Sequence, residues 1–370
     1  MIKLKKAKSD KVLFIATVVL IIIGVLMVFS ASGPYSSKTY NNPYRIIIKH
    51  MKSLLIGCVA MFIGYKVNIK ILKKISPYLF LLTIILCCLV YTPIGYELNY
   101  ARRWIKVAGI TVMPSDYLKA GAILYVARYI EKNYKRLKTF RYGFVFMLIF
   151  IIVPGGLIYK QPDLSTTIAY AGTIVVMFLV SGIDLKPTIS LILLSIPAIA
   201  IFSIKKSSSQ YSRMSRVKAV LNPLKYFNDE GWQLSQSLFA ISTGSILGLG
   251  IGKSRQKFLY LSEAHNDFIF AIICEEMGFI GGALVIGLFL TIIYRGMKIA
   301  FEVDDIYSKV LAVGIVTITG LQAFINIATV LGLIPPTGIV LPFISYGGSS
   351  LMVFMGLIGI LLNISKQRNI

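Results

Sequence analysis

Residues 12–31 read VLFIATVVLIIIGVLMVFSA, a stretch without a single charge whose only polar side chains are the hydroxyls of Thr17 and Ser30. A helix rises about 1.5 Å per residue, so a run of this length covers roughly 30 Å, the thickness of a bilayer's hydrocarbon layer. The core-facing helix of a soluble domain keeps a polar side; this run is apolar all round and reads as a membrane span. Comparable runs recur near 47–66, 76–93, 114–131, 142–159, 164–182, 187–204, 267–294, 307–333 and 342–364. The predicted fold class is therefore an all-α integral membrane protein of about ten transmembrane helices, forming a single polytopic domain over 1–370.

Composition agrees. Of 370 residues 56% are hydrophobic and 15% charged, and the mean hydropathy is +0.76; soluble domains carry about 25% charged residues. The net charge of +24 invites a nucleic-acid reading. Yet the basic residues sit mainly between apolar runs, leaving no soluble domain to form a groove, and no nucleic-acid partner is expected.

The basic residues report topology instead. Lys3, Lys5, Lys6, Lys8 and Lys11 precede the first run, Lys66, Lys70, Lys73 and Lys74 follow the second, and Arg128, Lys132, Lys135, Arg136, Lys138 and Arg141 follow the fourth. Positively charged flanks stay on the cytoplasmic side. With an even number of spans both termini are then cytoplasmic, in agreement with Lys366 and Arg368, and the protein is a multi-pass protein of the cytoplasmic membrane. The first run exceeds the apolar region of a typical signal peptide and is expected to be retained. Cys58, Cys87, Cys88 and Cys274 all lie in apolar runs, where they pack as small hydrophobes.

One connection stands apart. About sixty residues, 205–266, separate the seventh and eighth runs and on this topology form a long extracytoplasmic loop, where function concentrates. Its basic residues, Arg213, Arg216, Lys218, Lys225, Lys253, Arg255 and Lys257, fit either an anionic ligand such as a diphosphate or anionic lipid headgroups. Trp232–Leu247 has the spacing of an amphipathic helix, suited to the membrane surface. Gly244, Gly248, Gly250 and Gly252 resemble a phosphate loop only superficially, because no strand or Walker lysine accompanies them.

Ionisable side chains inside spans cost roughly 2.5–3.5 kcal/mol each and are functional hypotheses by default. Asp116 and Lys119 stand three residues apart on one helical face after Pro114, placed either to pair with each other or to present Lys119 to a phosphate. Asp163 and Asp267 each precede an apolar run, where a carboxylate caps a helix or takes a proton at the mouth of a cavity. His265 reads as an interfacial polar residue. Glu275, eight residues beyond Asp267, lies about 12 Å deeper on a helix. That exceeds the roughly 5–9.5 Å of a glycosidase carboxylate pair, so Glu275 reads as structural or part of a proton path.

Taken together these motifs resemble the SEDS family, which includes FtsW, RodA and SpoVE. The resemblance rests on blocks in family order: Ala101 to Ile105, Pro114 to Lys119, Gln161 to Leu164, Asn222-Pro223, Ser254 to Phe258, Glu263 to Ala271, Glu275 to Gly281, and Gly338 to Ser350. Ser254 to Phe258 and Leu341 to Ser350 are closer to the division and sporulation branch than to RodA. Departures from the usual pattern are Met113 and Asp116 around Pro114-Ser115, Ser165 in place of glycine, and Asn266 in place of threonine.

The resemblance implies a glycosyltransferase that joins lipid II units into peptidoglycan at the outer face, partnered by a class B penicillin-binding protein and other divisome or cell-wall synthesis proteins. It identifies Asp267 with the family's essential aspartate, places Lys119 and Asp163 in the central cavity, and matches Trp104 and Glu275 to positions important for activity. Arg102, Arg103, Arg255 and Lys257 fall in its basic motifs and are expected to bind substrate, with Asp116 supporting. Asp267 is expected to act as general base, with Lys119 and the loop arginines stabilising the diphosphate. No dedicated metal site is read; a divalent cation, Mg or Mn, has room to share the charge, and no organic cofactor is expected. The rival readings are a lipid II flippase and a non-catalytic scaffold for a transpeptidase.

Overall fold

The computed structural model describes residues 8–98, 101–107, 110–184, 187, 190, 218–229 and 231–368. Among them seven helices are long and apolar enough to cross a membrane. In chain order the helices are α1 (Lys11–Tyr40), α2 (Arg45–Lys66), α3 (Ile69–Leu89), α4 (Pro114–Asn133), α5 (Phe146–Lys160, entered through a π turn at Arg141–Val145), α6 (Leu164–Val180), α7 (Trp232–Gly244), α8 (Ile269–Glu302), α9 (Ile306–Val330) and α10 (Gly348–Ile364). The run expected at 187–204 lies outside the described residues, as do Arg213 and Arg216.

Helix ends carry backbone groups without intrahelical partners, and four starts are closed by the side chain before them. Asp10, Asn68, Asp163 and Asp305 accept from the amides of Leu13, Lys70, Thr166 and Ser308. The bundle centres on α9 and α10, of whose apolar windows 72% and 78% are buried in protein, against 17% for the peripheral α2. Of the cysteines, Cys87 and Cys274 are buried, Cys58 and Cys88 are exposed, and all four are free.

Between α3 and α4 the chain forms something the sequence reading did not foresee, a three-stranded antiparallel sheet of β1 (Gly95–Leu98), β2 (Ala101–Val107) and β3 (Ile110–Val112). Ile105 stands opposite Gly95 on one side and Val112 on the other. Strand side chains alternate, so Arg103 shares a face with buried Ala101 and Ile105, while Arg102 and Trp104 belong to the other register.

The two ends of the described chain meet. Asp10, whose side chain is fully buried, pairs with Arg295 near the end of α8 at 2.5 Å and with Arg368 at 3.2 Å; its amide donates to Ser365 Oγ. Residues 10 and 368 therefore lie at one end of the bundle, and the start of α8 lies at the other.

The described part of the 205–266 loop, 218–229 and 231–266, departs most from expectation. Rather than resting on a surface, α7 packs against α8 and α9, with Leu234 buried and Ser237 Oγ donating to the Val330 carbonyl. The loop then dips beside α8, which is broken at Gly278, where φ is +68° and ψ −168°. Leu249 and Gly250 donate to the carbonyls of Glu275 and Glu276 at 2.9 and 3.0 Å, and Phe279 and Ile280 donate to those of Ser245 and Ile246 at 2.9 and 3.3 Å. The loop thus supplies the backbone partners that the break removes, as hydrocarbon surroundings demand. Two of the four loop glycines serve this approach: a Cβ on Gly244 would run into the Cys274 carbonyl and one on Gly248 into that of Glu276, as one on Gly278 of α8 would run into that of Ile246.

Gly278→Ala should therefore destabilise the protein by on the order of 2 kcal/mol or more, through strain at positive φ and the lost junction. Gly287→Ala, in the same helix with open space around its Cα, should be neutral or stabilising by up to about 1 kcal/mol. Thermal unfolding of the detergent-purified variants measures both.

Candidate active site

Asp267 sits in the turn leading into α8, and its carboxylate does not cap that helix. The N-cap position is Phe268, with no side-chain cap bond. Capping does hold for Asp163, whose Oδ1 accepts from Thr166 N at 3.1 Å. The two aspartates that looked equivalent in sequence thus differ in task.

The turn itself is tied down through three successive carbonyls. His265 O accepts from Tyr346 N at 3.0 Å, Asn266 O from Ser345 Oγ at 2.7 Å, and Asp267 O from Asn326 Nδ2 at 2.7 Å. Within the turn Asn266 donates to the Glu263 carboxylate. The His265 ring, buried between Tyr35 and Tyr346 at centroid distances of 5.0 and 5.7 Å, adds a packed side; burial pushes its pKa down to about 4, so it is neutral.

Facing the carboxylate is Gly338, with φ +67°, in the segment between α9 and α10. A Cβ on Gly338 would stand 3.4 Å from Asp267 Oδ2 and 3.8 Å from Arg103 Nη1, so carboxylate and guanidinium flank one bare Cα. Arg103 is held by β2 and by the turn before α6. It donates to the carbonyls of Gln161 at 3.0 Å and Pro162 at 2.5 Å, and its Nη1 lies 3.7 Å from Asp163 Oδ2, which has no hydrogen-bond partner. Arg103, Asp163 and Asp267 are brought together.

Burial raises the Asp267 pKa to about 7, reinforced by the negative charges of Glu263 and Asp163 and opposed by Arg103. A carboxyl group poised there suits proton abstraction near neutral pH. The residue is half-buried.

Lys119 lies elsewhere, within the bundle. Its ammonium is 2.9 Å from Asp116 Oδ1 and 2.8 Å from Gln322 Oε1, and Asp116 Oδ2 accepts from Ser349 Oγ at 2.8 Å. The ion-pair alternative describes it. Gln322 stands one turn along α9 from Asn326, about 6 Å deeper, so Lys119 does not reach the Asp267 turn.

Lys257, expected to bind substrate, is engaged within the protein. Its ammonium donates to Ser30 Oγ, the Gly252 carbonyl and Glu276 Oε1, at 3.0, 2.6 and 3.0 Å, which occupies all three donors of a lysine buried at 6% exposure. Glu275 accepts from Ser254 Oγ and from the amides of Arg255 and Gln256, while Glu276 accepts from those of Gly252 and Ser254. The acid pair clamps the re-entrant loop. Arg102 is also structural, donating to the carbonyls of Thr92 and Gly95 at 2.7 and 3.3 Å. Trp104 is half-buried opposite Tyr96, and Arg255 is exposed on the loop.

Sequence reasoning missed Glu263, Gly338, Gln322 and Asn326. A signal existed for the last two: uncharged amides four residues apart in an apolar run share one helical face.

The family model described as "Cell cycle protein", covering FtsW, RodA and SpoVE, matches residues 10–370. The chain belongs to the FtsW/RodA/SpoVE family. Members similar to it include the Stage V sporulation protein E of Bacillus subtilis, 38% identical over 98% of this chain and 98% of that protein. Another is the probable peptidoglycan glycosyltransferase FtsW of Trichlorobacter lovleyi, 35% identical over 97% of this chain and 93% of the other. Both agree with the division and sporulation side of the family. Among solved structures, a chain of a peptidoglycan synthase complex coordinating polymerization and crosslinking superposes with a TM-score of 0.78 at 23% identity, covering 97% of this chain and 98% of the other. RodA of Thermus thermophilus superposes at 0.72 with 22% identity, covering 97% of each chain. These two likenesses establish the shared fold.

The buried Asp116–Lys119 pair of this family member predicts a double-mutant signature. Lys119→Met alone strands a carboxylate inside the bundle and should cost on the order of 3 kcal/mol. Combining it with Asp116→Asn should recover most of that loss, read as a rise in the thermal midpoint of the double variant above that of Lys119→Met.

Proposed function

We propose that this chain is a peptidoglycan glycosyltransferase that polymerises lipid II, with Asp267 as general base. The observation that carries the reading is the Asp267 carboxylate, which caps no helix, stands in a turn fixed by three carbonyl bonds, and faces Arg103 across the bare Cα of Gly338. Such a group is a rigidly placed proton acceptor, and it fits the activity in the name of the FtsW relatives.

In the reaction a sugar hydroxyl of one lipid-linked unit attacks the anomeric carbon of another. A carbon–oxygen bond to the acceptor forms as the bond to the diphosphate breaks. The diphosphate leaves with the electron pair, and the hydroxyl proton passes to Asp267. Arg103 provides positive charge beside the site, where it orients the acid and offsets charge developing nearby. Lys119 keeps the interior neutral around Asp116 rather than meeting the diphosphate. Among the described residues no group of three or more His, Cys, Asp or Glu side chains comes together to hold a metal ion, and no step is assigned to one.

Charge and the meeting of residues 10 and 368 support an orientation. In this reading the lysine-rich end of the bundle, with Lys8, Lys11, Lys66, Lys73 and Lys366, faces the cytoplasm together with both termini, and Asp267 lies toward the outer surface of the cytoplasmic membrane; the positive charge of that end supports it. A class B penicillin-binding protein is the partner that would crosslink the strands made there.

Asp267→Asn should abolish strand synthesis from purified lipid II in detergent while leaving the thermal midpoint nearly unchanged. Detergent removes sidedness, so a flippase or a scaffold would form no polymer there even as wild type.

The base must be deprotonated to act, so kcat/KM should rise with pH through about 7. Glu263→Gln removes a negative charge that raises the Asp267 pKa and should move this limb to lower pH, read from initial rates across a pH series.

A further inference from the structure

We propose that Asn326 is a positioning residue for glycosyl transfer, whose side-chain amide sets the Asp267 carboxylate against the wall formed at Gly338. The inference rests on the reading of Asp267 as the base. Asn326 lies on α9, a helix buried over most of its length, and is itself 1% exposed. An asparagine amide has two N–H bonds, and here both are engaged. Nδ2 donates to Asp267 O and to Ile339 O, each at 2.7 Å.

Those carbonyls belong to the residue that carries the carboxylate and to the residue after Gly338. One planar group therefore bridges the two segments that flank the reacting space, 59 and 13 residues away from it in sequence. Its Oδ1 has no partner, so the two donors alone fix the orientation of the amide. Gln322, one turn deeper, repeats the device by donating to the Val340 carbonyl at 3.1 Å. The segment 338–340 thus takes its place from α9, and the Asp267 turn takes its place from the same helix. Asn326 touches no reacting atom and acts through the backbone it holds.

The test compares purified full-length wild type with Asn326→Ala, Asn326→Asp, Thr319→Val and Asp267→Asn, polymerising lipid II in detergent at varied substrate concentration and pH. Displacing a reacting group by about 1 Å costs on the order of 100-fold, so Asn326→Ala should lower kcat about 10- to 100-fold with KM within about threefold. Its acidic pH limb should move to lower pH, because a loosened turn admits water to a carboxylate faced by Glu263, Asp163 and Arg103. Asn326→Asp turns an oxygen toward the same two carbonyls and should fall at least as far.

Thr319, also buried on α9, donates its Oγ1 to the Ile315 carbonyl of its own helix at 2.8 Å, so Thr319→Val perturbs α9 without touching the Asp267 turn or the 338–340 segment. It should keep the wild-type kcat and pH limb. Wild-type kcat and pH limb in Asn326→Ala would overturn the proposal, as would a loss of rate matched entirely by a smaller folded fraction. If the alanine variant does not fold, Asn326→Gln is read by the same criteria. Near-normal polymer from Asp267→Asn would instead refute the base assignment, whereas an inactive Asp267→Asn beside a fully active Asn326→Ala would refute the positioning role alone.

Discussion

A backbone amide or carbonyl surrounded by hydrocarbon has no water to turn to, and each one left unpaired costs several kcal/mol. In this protein the constraint is felt most at Gly278, where α8 loses its helical geometry. The carbonyls of Glu275 and Glu276 and the amides of Phe279 and Ile280 are met by Ser245 to Gly250. Dependence runs in both directions. The helix breaks where the loop can reach it, and the loop enters the bundle where a broken helix offers free partners. Glu275 and Glu276 extend the junction with their side chains, gathering the amides of Gly252, Ser254, Arg255 and Gln256 and the ammonium of Lys257. The turn that bears Asp267 follows directly from this clamp.

Rigidity at Asp267 is built from the main chain outward. Three consecutive carbonyls are held by donors from α9 and from the segment that precedes α10, which leaves the carboxylate as the part of the residue free to do chemistry. The small sheet contributes from the other side, since the register of β2 points Arg103 at the turn before α6. Precision here comes from elements distant in sequence meeting at one place, as site geometry generally requires.

How much of this could be read in advance differed from residue to residue. Seven of the expected spans return as helices long and apolar enough to cross a membrane, legible because an apolar run of that length has few other uses, and the Asp116–Lys119 pair was legible because a three-residue spacing on a helix brings side chains together. Arg102 and Arg103 were not separable, since strand alternation decides their tasks and the strand itself was not anticipated. The partners of Lys257 could not be read in advance, because Glu276 and Ser30 lie 19 and 227 residues away. Asp267 and Asp163 looked alike as caps; only the fold shows one of them capping. Asn326 and Gln322 were passed over because attention went to charge, while their value lies in having two donors each.

The knot of charge around Asp10 has a bearing on how the chain is assembled. That acid begins the first span, yet its partners are 285 and 358 residues further on. During synthesis it enters the bilayer region long before Arg295 or Arg368 exists, so it waits hydrated or protonated at the membrane edge until α8 arrives. Closure of the bundle at that face is consequently among the late events of biogenesis, and a ribosome stalled midway would leave the first helix without its anchor.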